Sequence, residues 1–403
     1  MRAKSLTRSL PEKPFTSVVF QTVLDDLSRK LAQSYKNKYL GHLILKPNKA
    51  SIAVWKKLIP YSPSNIGNWS TSENKPAHLT TYIEKDLIVK LLHLYNASTS
   101  SIEGYMTSGA SEGNIFAAWL GRKYLQDKGI EKICMITNSL THYSIAKAAD
   151  ITGVTNVISF LDPRTWTYDL SSLIATIKIL EKKGFRGFII PLTLGYTVGG
   201  TEDPIKKITH ALRVLTEKNT KIAVFIWIDA AISGLFKPLL DKEYAPFSNN
   251  YIHVFVTDFH KMLGVPFPAG VVFYRKELLK LIERPIPYLS FPDSTLLGSR
   301  TGISAVAAWA TLHRYGLSSL RTSIKNAIIL KNEFITTTNK QQKVSRIITS
   351  PYSTHGVFIV HKPLPKNYCM KWGLHEVRYT IRFKEKSKTL LTYPFYIIPT
   401  LDN

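Results

Sequence analysis

A lysine, Lys261, follows closely on the short apolar run Ile252–Thr257, with Asp258 and His260 standing between. A lysine at the end of a buried strand is partly desolvated, which lowers the pKa of its amine and makes it a nucleophile. The ordinary alternative is a solvated loop lysine, but the apolar neighbours and Gly264 argue against it. Lys261 is therefore the first candidate for a covalent bond to a carbonyl group.

A carboxylate, Asp229, ends a second apolar run, Ile222–Asp229. A carboxylate in such a place is costly unless a cation or several hydrogen-bond donors accompany it. One interpretation is an ordinary helix cap; the other is a carboxylate that faces a ligand.

A turn of small residues, Thr107–Asn114, leads directly into an apolar helical stretch. Free backbone N–H groups at Ala110 and Ser111, together with the helix dipole, would bind an anion there. The alternative is a simple capping box with Ser108 or Ser111 as the N-cap. His142 follows another apolar run and is either structural or placed to stack on a planar ligand.

These segments together supply what pyridoxal phosphate requires. The cofactor needs a lysine amine for its aldehyde, a carboxylate that keeps its ring nitrogen protonated, and a binding site for its phosphate. Lys261, Asp229 and the turn at Ala110 provide the three, and His142 adds a stacking ring. The joint pattern therefore predicts a pyridoxal-phosphate site more strongly than any single residue does.

An alternating order of strands and helices must position these residues. Apolar runs of strand length alternate with helical stretches between residues 80 and 275, which predicts βαβ units and a mostly parallel sheet. The predicted strands are Ile133–Thr137, Val154–Phe160, Gly187–Leu192, Ile222–Asp229, Ile252–Thr257 and Gly270–Tyr274. Helices are predicted at Ser17–Tyr35, Thr81–Leu94, Glu112–Gln126, His142–Thr152, Asp169–Lys183, Pro204–Lys218, Thr301–Tyr315 and Ser319–Thr336. Ligands of such sheets bind at the carboxyl ends of the strands.

The composition is that of a globular α/β protein with a large positive charge. The 403 residues carry 53 Lys and Arg against 28 Asp and Glu, a net charge of +25. The basic residues are spread as pairs without a dense cluster, so we expect a solvated surface and no nucleic-acid partner. The two cysteines exclude a disulfide framework, no metal-ligand spacing occurs, and no apolar stretch reaches transmembrane length. We therefore expect a cytoplasmic protein without a membrane partner.

Several motifs, in order, resemble the group II pyridoxal-phosphate-dependent amino-acid decarboxylases. The chain is similar to the histidine and serine decarboxylases and to the archaeal tyrosine/aspartate decarboxylases, and KWGL at Lys371–Leu374 resembles the histidine/serine branch. The motifs are GYMTSGASEGN, THYSIAKAADITGV, PLTLGYTVGGTEDPI, WIDAAISGLFKPL, TDFHKMLGVPFPAGVVF and DSTLLGSRTGISAVAAWA.

The resemblance implies roles for individual residues. Lys261 would bond to the cofactor aldehyde, Asp229 would pair with the pyridine nitrogen, and His142 and Ala231 would contact the two ring faces. Further predicted cofactor contacts are Ala110, Ser111, His260, Thr193 and Ser299.

The resemblance also implies an architecture. We expect the α/β fold of the aspartate aminotransferase type (fold type I), with a mostly parallel central sheet and a small C-terminal α+β domain. The predicted parts are an N-terminal segment, 1–80, that wraps a dimer, a large cofactor-binding domain, 81–310, and a small domain, 311–403. The active sites would lie at the interface of a homodimer, with Ser299 near the partner's site.

The expected reaction is decarboxylation of an L-amino acid to its amine and CO2, with histidine as the predicted substrate. Tyr196 stands where the histidine branch has a smaller residue, which leaves aspartate, tyrosine and serine as alternatives. A second hypothesis is a carbon–carbon lyase acting on a phosphorylated amino compound, which Asp258 and the positive charge would suit. A third is a basic nucleic-acid-binding protein on the same scaffold, against which Lys261, Asp229 and His142 argue.

Overall fold

A computed structural model describes residues 16–36, 40–43, 45–68, 79–261, 263–287, 291–342, 344–384 and 386–402. A loop rich in Pro, Ser and Asn, which the sequence predicts from Tyr61 to Pro76, lies partly outside these residues. The helices of the described chain are α1 (Ser17–Lys36), α2 (Lys49–Leu58), α3 (Leu79–Leu94), α4 (Ala110–Asp127), α5 (Tyr143–Ile151), α6 (Leu170–Lys182), α7 (Ile205–Lys218), α8 (Lys237–Leu240), α9 (Gly302–Gln341) and α10 (Lys366–Trp372). The strands are β1 (Ser64–Ile66), β2 (Ile102–Thr107), β3 (Ile133–Asn138), β4 (Thr155–Ser159), β5 (Gly187–Thr193), β6 (Ala223–Asp229), β7 (Ile252–Asp258), β8 (Gly270–Arg275), β9 (Ser299–Thr301), β10 (Arg346–Thr349), β11 (His355–Val360), β12 (Val377–Arg382) and β13 (Ser387–Tyr396).

A seven-stranded sheet forms the centre of the molecule, in the order β2-β8-β7-β6-β5-β3-β4. Neighbouring strands from β7 to β4 are parallel, and β8 is antiparallel to both of its neighbours. The predicted mostly parallel sheet is confirmed. Strand β2 was not predicted, because its sequence IEGYMT mixes polar and apolar residues in a strand that is nevertheless buried throughout.

The central strands are continuous apolar runs because both faces of the sheet are covered. Every residue of β3, β5 and β7 is buried, and separate apolar clusters fill the two sides. Helix α4 packs on one side, where Gly113 allows a very close approach. A Cβ at Gly113 would lie 2.5 Å from Cγ1 of Val256, so no larger residue fits without movement of the helix.

A second sheet lies in the C-terminal part, in the order β10-β11-β13-β12, and all of its pairs are antiparallel. Helix α9 leads into it. The two helices predicted at Thr301–Tyr315 and Ser319–Thr336 belong to this one element, which is kinked at Gly316, where φ is +66°. The predicted domain boundary at residue 310 falls inside α9.

The carboxyl ends of three parallel neighbours, β5, β6 and β7, meet at one edge of the central sheet. They end in Thr193, Asp229 and Asp258, and Thr193 is in register with Asp229. Parallel pairing places these ends together, so the polar residues that ended three separate apolar runs converge on one side of the molecule.

Candidate active site

A cavity of about 260 Å³ opens at this sheet edge. It is at the small end of ligand cavities, which are roughly 300–1,000 Å³. Eight of the nine predicted site residues line it: Ala110, Ser111, His142, Thr193, Asp229, Ala231, His260 and Lys261. The fold therefore brings together predicted site residues from Ala110 to Lys261, which are far apart in the sequence.

The ninth predicted residue, Ser299, does not line the cavity. It is exposed in the short strand β9, where it pairs with Ile66 of β1. The neighbouring Arg300 is buried, and its guanidinium lies 3.1 Å from a carboxylate oxygen of the buried Glu84. Arg300 therefore anchors the strand to the large domain. A role of Ser299 in the site of a partner subunit stays a prediction.

Asp229 is 4% exposed, and its carboxylate is held by two donors. The amide of Asn114 donates to Oδ2 at 3.0 Å, and the backbone N–H of Ala231 donates to Oδ1 at 3.2 Å. The indole N–H of Trp227 donates to Oδ1 of Asn114 at 3.0 Å and so fixes the orientation of that amide. A buried carboxylate with fixed orientation is suited to pair with a protonated ring nitrogen.

Asn114 was not identified as a site residue from the sequence. It lies one helical turn after Ala110 in α4, so the two residues share the face of the helix that meets the sheet. The same amide also donates to Oγ of Ser144 at 3.2 Å, and that hydroxyl lies 2.8 Å from Nδ1 of His142. Asn114 thus links the carboxylate at the end of β6 to the imidazole at the start of α5.

His142 is the N-cap of α5, where its Nδ1 accepts from the backbone N–H of Ser144 at 3.3 Å. His142 is therefore both a helix cap and part of the cavity lining, so the two interpretations of this residue are compatible. Burial lowers the pKa of His142 below its ordinary value, although the nearby Asp229 carboxylate opposes this. The imidazole is accordingly neutral near neutral pH, as suits a flat surface for ring stacking.

Lys261 is paired with Asp258, whose Oδ2 lies 2.9 Å from the amine. The sequence led us to expect a lowered pKa, and this expectation is wrong. Burial does disfavour the ammonium form, but the Asp258 carboxylate, with Asp229 further away, outweighs it and raises the pKa of Lys261. The aspartate thus holds the amine in place and stabilises its ammonium form, which makes the amine more basic and leaves less of it as the neutral nucleophile.

Asp258 also caps helix α4. Its Oδ1 accepts from the backbone N–H of Ala110 at 2.7 Å, and the side chain is 1% exposed. One of the N–H groups predicted for the phosphate is therefore already bonded to a carboxylate. Ser111 is exposed at the same helix end, and the ring of His260 is fixed by Nδ1, which donates to the carbonyl of Ala269 at 2.9 Å.

The polar atoms around the cavity fit pyridoxal phosphate. Within the described residues, the hydroxyl of Thr193 is buried without a hydrogen-bond partner, which marks a polar atom aimed at a ligand. A lysine amine, an oriented carboxylate and a helix N-terminus surround the same cavity. This is the donor set that the cofactor's aldehyde, ring nitrogen and phosphate require.

The sequence of residues 64–360 matches the protein-family model described as the pyridoxal-dependent decarboxylase conserved domain. The chain belongs to the pyridoxal-dependent decarboxylase family. This family chain is 30% identical to a tryptophan decarboxylase of Clostridium sporogenes over 58% of its own length and 56% of that relative. It is 28% identical to a histidine decarboxylase of Vibrio campbellii over 67% of each. The matched region thus spans only about half of the first of these relatives.

Solved structures share the fold. The L-methionine decarboxylase of Streptomyces sp. 590 superposes with a TM-score of 0.82 over 98% of this chain and 94% of that one, at 19% identity. A protein of Oryza sativa named TDC, solved with PLP and tryptamine, superposes with a TM-score of 0.77 over 99% of this chain and 87% of that one, at 14% identity. The predicted family and fold class are confirmed, and pyridoxal phosphate, the predicted cofactor, is that of the family.

Proposed function

We propose that this chain is a pyridoxal-phosphate-dependent carboxy-lyase that converts an L-amino acid to its amine and CO2. The observation that carries the proposal is the convergence of Lys261, Asp229 and His142 on one cavity at the end of the central sheet. Family membership supports the same reaction class.

The residues of the site divide the work. Lys261 supplies the amine that attaches the cofactor, and Asp229, oriented by Asn114, would hold a proton on the ring nitrogen. His142 would present a neutral ring to one face and Ala231 a small side chain to the other. Bound pyridoxal phosphate supplies the electron sink for the bond that breaks to the carboxyl group.

Histidine is the proposed substrate. Relatives named histidine decarboxylase, from Vibrio campbellii and Acinetobacter baumannii, support it, and a relative named tryptophan decarboxylase makes tryptophan the first competitor. Tyr196 was expected to change the pocket by its size. Its hydroxyl bonds to Asp203 and Asn138, which do not line the cavity, while the rest of Tyr196 is part of the cavity wall.

The test is a substrate panel with purified protein and added pyridoxal phosphate. Histidine, tryptophan, methionine, tyrosine, aspartate and serine are incubated separately, and CO2 and amine are measured for each. We expect one amino acid to give equal amounts of both products, and Lys261→Ala to give neither. Lys280→Ala, which changes an exposed lysine shortly after β8, is the control. An aldehyde product from a phosphorylated amino compound without CO2 would favour the lyase alternative.

A homodimer is part of the proposal. Within the described part of the chain, helix α1 exposes a row of large apolar side chains: Val18, Phe20, Leu24 and Leu27 are 44–75% exposed. A second copy that covers this face would match the predicted N-terminal wrapping. Sedimentation of the wild type and of Leu27→Glu measures it, and a wild-type monomer would contradict it.

The cytoplasm is the proposed location. Cys134 and Cys369 are both free thiols, as suits a reducing compartment. Among the described residues, no helix combines the length and the apolarity needed to cross a bilayer.

A further inference from the structure

The segment 193–203, here called the pocket loop, forms part of the cavity wall. Thr193, Gly195, Tyr196 and Thr197 of this loop line the cavity. The loop folds back on itself, because the backbone N–H groups of Gly195 and Tyr196 both donate to the carbonyl of Thr201. Its shape therefore sets how much room a substrate has beside the cofactor.

Asp203, the last residue of the loop, holds the loop from within. Oδ2 of this buried carboxylate accepts from the backbone N–H of Thr193 at 2.7 Å and from the hydroxyl of Tyr196 at 2.9 Å. Burial raises the pKa of Asp203 to about 6, although three hydrogen-bond donors oppose this. One carboxylate thus ties the start of the loop to its middle.

The C-terminal sheet holds the same loop from outside through its backbone carbonyls. Nε2 of His355 donates to the carbonyl of Tyr196 at 2.9 Å, and the hydroxyl of Tyr396 donates to the carbonyl of Thr197 at 2.7 Å. His355 and Tyr396 face each other across β11 and β13, and their rings stack with centroids 5.2 Å apart. The two donors form one rigid unit that contacts consecutive peptide groups of the loop.

The fit between the loop and the C-terminal sheet is close. Gly200 has a φ of +66°, and a Cβ there would lie 2.2 Å from Oγ of Ser353. Because the carbonyl of Tyr196 can only accept, Nε2 of His355 carries the ring proton, and Nδ1 accepts from the same Ser353 hydroxyl, 2.8 Å away. Burial lowers the pKa of His355 to about 4, which keeps this neutral tautomer at neutral pH.

We propose that His355 and Tyr396 are positioning residues that set the substrate-binding wall of the cavity through the carbonyls of Tyr196 and Thr197. Neither residue lines the cavity, so each acts through the pocket loop alone. The side chains of Lys261 and Asp229 are held by Asp258 and by Asn114 and Ala231, which are not in the loop, so we expect these two side chains to be unaffected. The inference rests on the proposed function, since it assigns the loop to the amino-acid substrate.

The test compares Tyr396→Phe with Tyr393→Phe, a matched change on the same strand. Tyr393 bonds to the backbone of Leu364 and has no contact with the loop. We expect Tyr396→Phe to raise KM for the preferred amino acid about three- to tenfold, with kcat and cofactor affinity within twofold of the wild type. Its preference between two amino acids of the panel should shift as well. Tyr393→Phe should leave all of these unchanged.

His355 provides a second pair of variants. His355→Ala removes the donor and should raise KM further, and His355→Gln, whose amide can donate to the same carbonyl, should restore part of it. A loss confined to kcat, or an equal loss in His355→Gln and His355→Ala, would overturn the proposal.

Hydrogen exchange separates failure of this inference from failure of the proposed function. We expect the amides of residues 193–203 to exchange about tenfold faster in Tyr396→Phe and His355→Ala, and at the wild-type rate in Tyr393→Phe. This readout needs no substrate. Unchanged exchange overturns the positioning role of His355 and Tyr396 even in an active decarboxylase. Faster exchange in a protein without decarboxylase activity supports the positioning role and contradicts the proposed function.

Discussion

One part of the cavity wall is built from the central sheet and the helix packed on it, whereas the pocket loop also contacts the C-terminal sheet. Asp229 ends β6, Lys261 follows the end of β7, and Asn114 lies in α4. The pocket loop takes its shape from its own Asp203 and from His355 and Tyr396 of the C-terminal sheet. The comparison indicates that the side chains of Lys261 and Asp229 and the wall beside the substrate depend on different contacts and can change independently.

The strongest way to break this comparison is to remove the charge of Asp229. In Asp229→Asn the side chain keeps its size but can no longer hold a proton on a ring nitrogen. We expect kcat to fall about 10²–10⁴-fold, while KM changes little. Asp127→Asn, an exposed aspartate at the end of α4, is the control. A kcat within threefold of the wild type would show that Asp229 is only structural.

A smaller effect is expected from Asn114→Ala, which removes the amide that orients Asp229. A hydrogen bond to a charged group contributes about 1.5–3 kcal/mol, so we expect the affinity for pyridoxal phosphate to fall about 10–100-fold. Titration with the cofactor, followed by absorbance, measures this. Asn219→Ala, which removes a surface amide bonded to Glu181, serves for comparison. If both variants bound the cofactor equally well, the layer around Asp229 would not be the rigid wall described here.

The smallest expected effect concerns stability on the C-terminal side. Lys331 of α9 is 1% exposed, and its amine donates to the carbonyl of Ser350 at 2.9 Å; the described chain places no carboxylate in ion-pair contact with it. Burial lowers the pKa of Lys331 to about 8 from an ordinary value of 10.5. Between these values the unfolded chain binds more protons than the folded one, so folding stability should rise with pH.

In Lys331→Met the buried amine, and with it the pH-dependent part of the folding stability, is absent. We expect the variant to be about 1 kcal/mol more stable than the wild type near pH 7, and the difference to shrink between pH 8 and 10.5. Urea unfolding at several pH values measures it, with Lys325→Met, an exposed lysine of the same helix, as the control. A difference that does not change with pH would mean that the buried amine is not the cause.

The convergence of Asp229 and Lys261 was predictable because one ends an apolar run and the other closely follows one. The runs that precede Asp229 and Lys261 are long enough to identify strands, and parallel strands place their ends together. The predicted strand Ile252–Thr257 differs from β7 by a single residue. The raised pKa of Lys261 was not predicted, because the sequence shows Asp258 and Lys261 as neighbours but does not show that their side chains meet.

The substrate side was not predictable, because its contacts join residues far apart in the chain. His355 meets Tyr196, and Tyr396 meets Thr197, across more than 150 residues. No periodicity or motif marks a histidine whose partner is a backbone carbonyl. Tyr196 was noticed for its size, but only its buried partners Asp203 and Asn138 show where that size is accommodated.

Gly113 has a consequence for anyone who wishes to alter this enzyme family member. It lies in the first turn of α4, pressed against Val256 on the strand that leads to Asp258. A methyl group added there would push the N-terminal end of α4 away from the sheet. The affinity of that helix end for anions would then fall, although no side chain that contacts a ligand is changed.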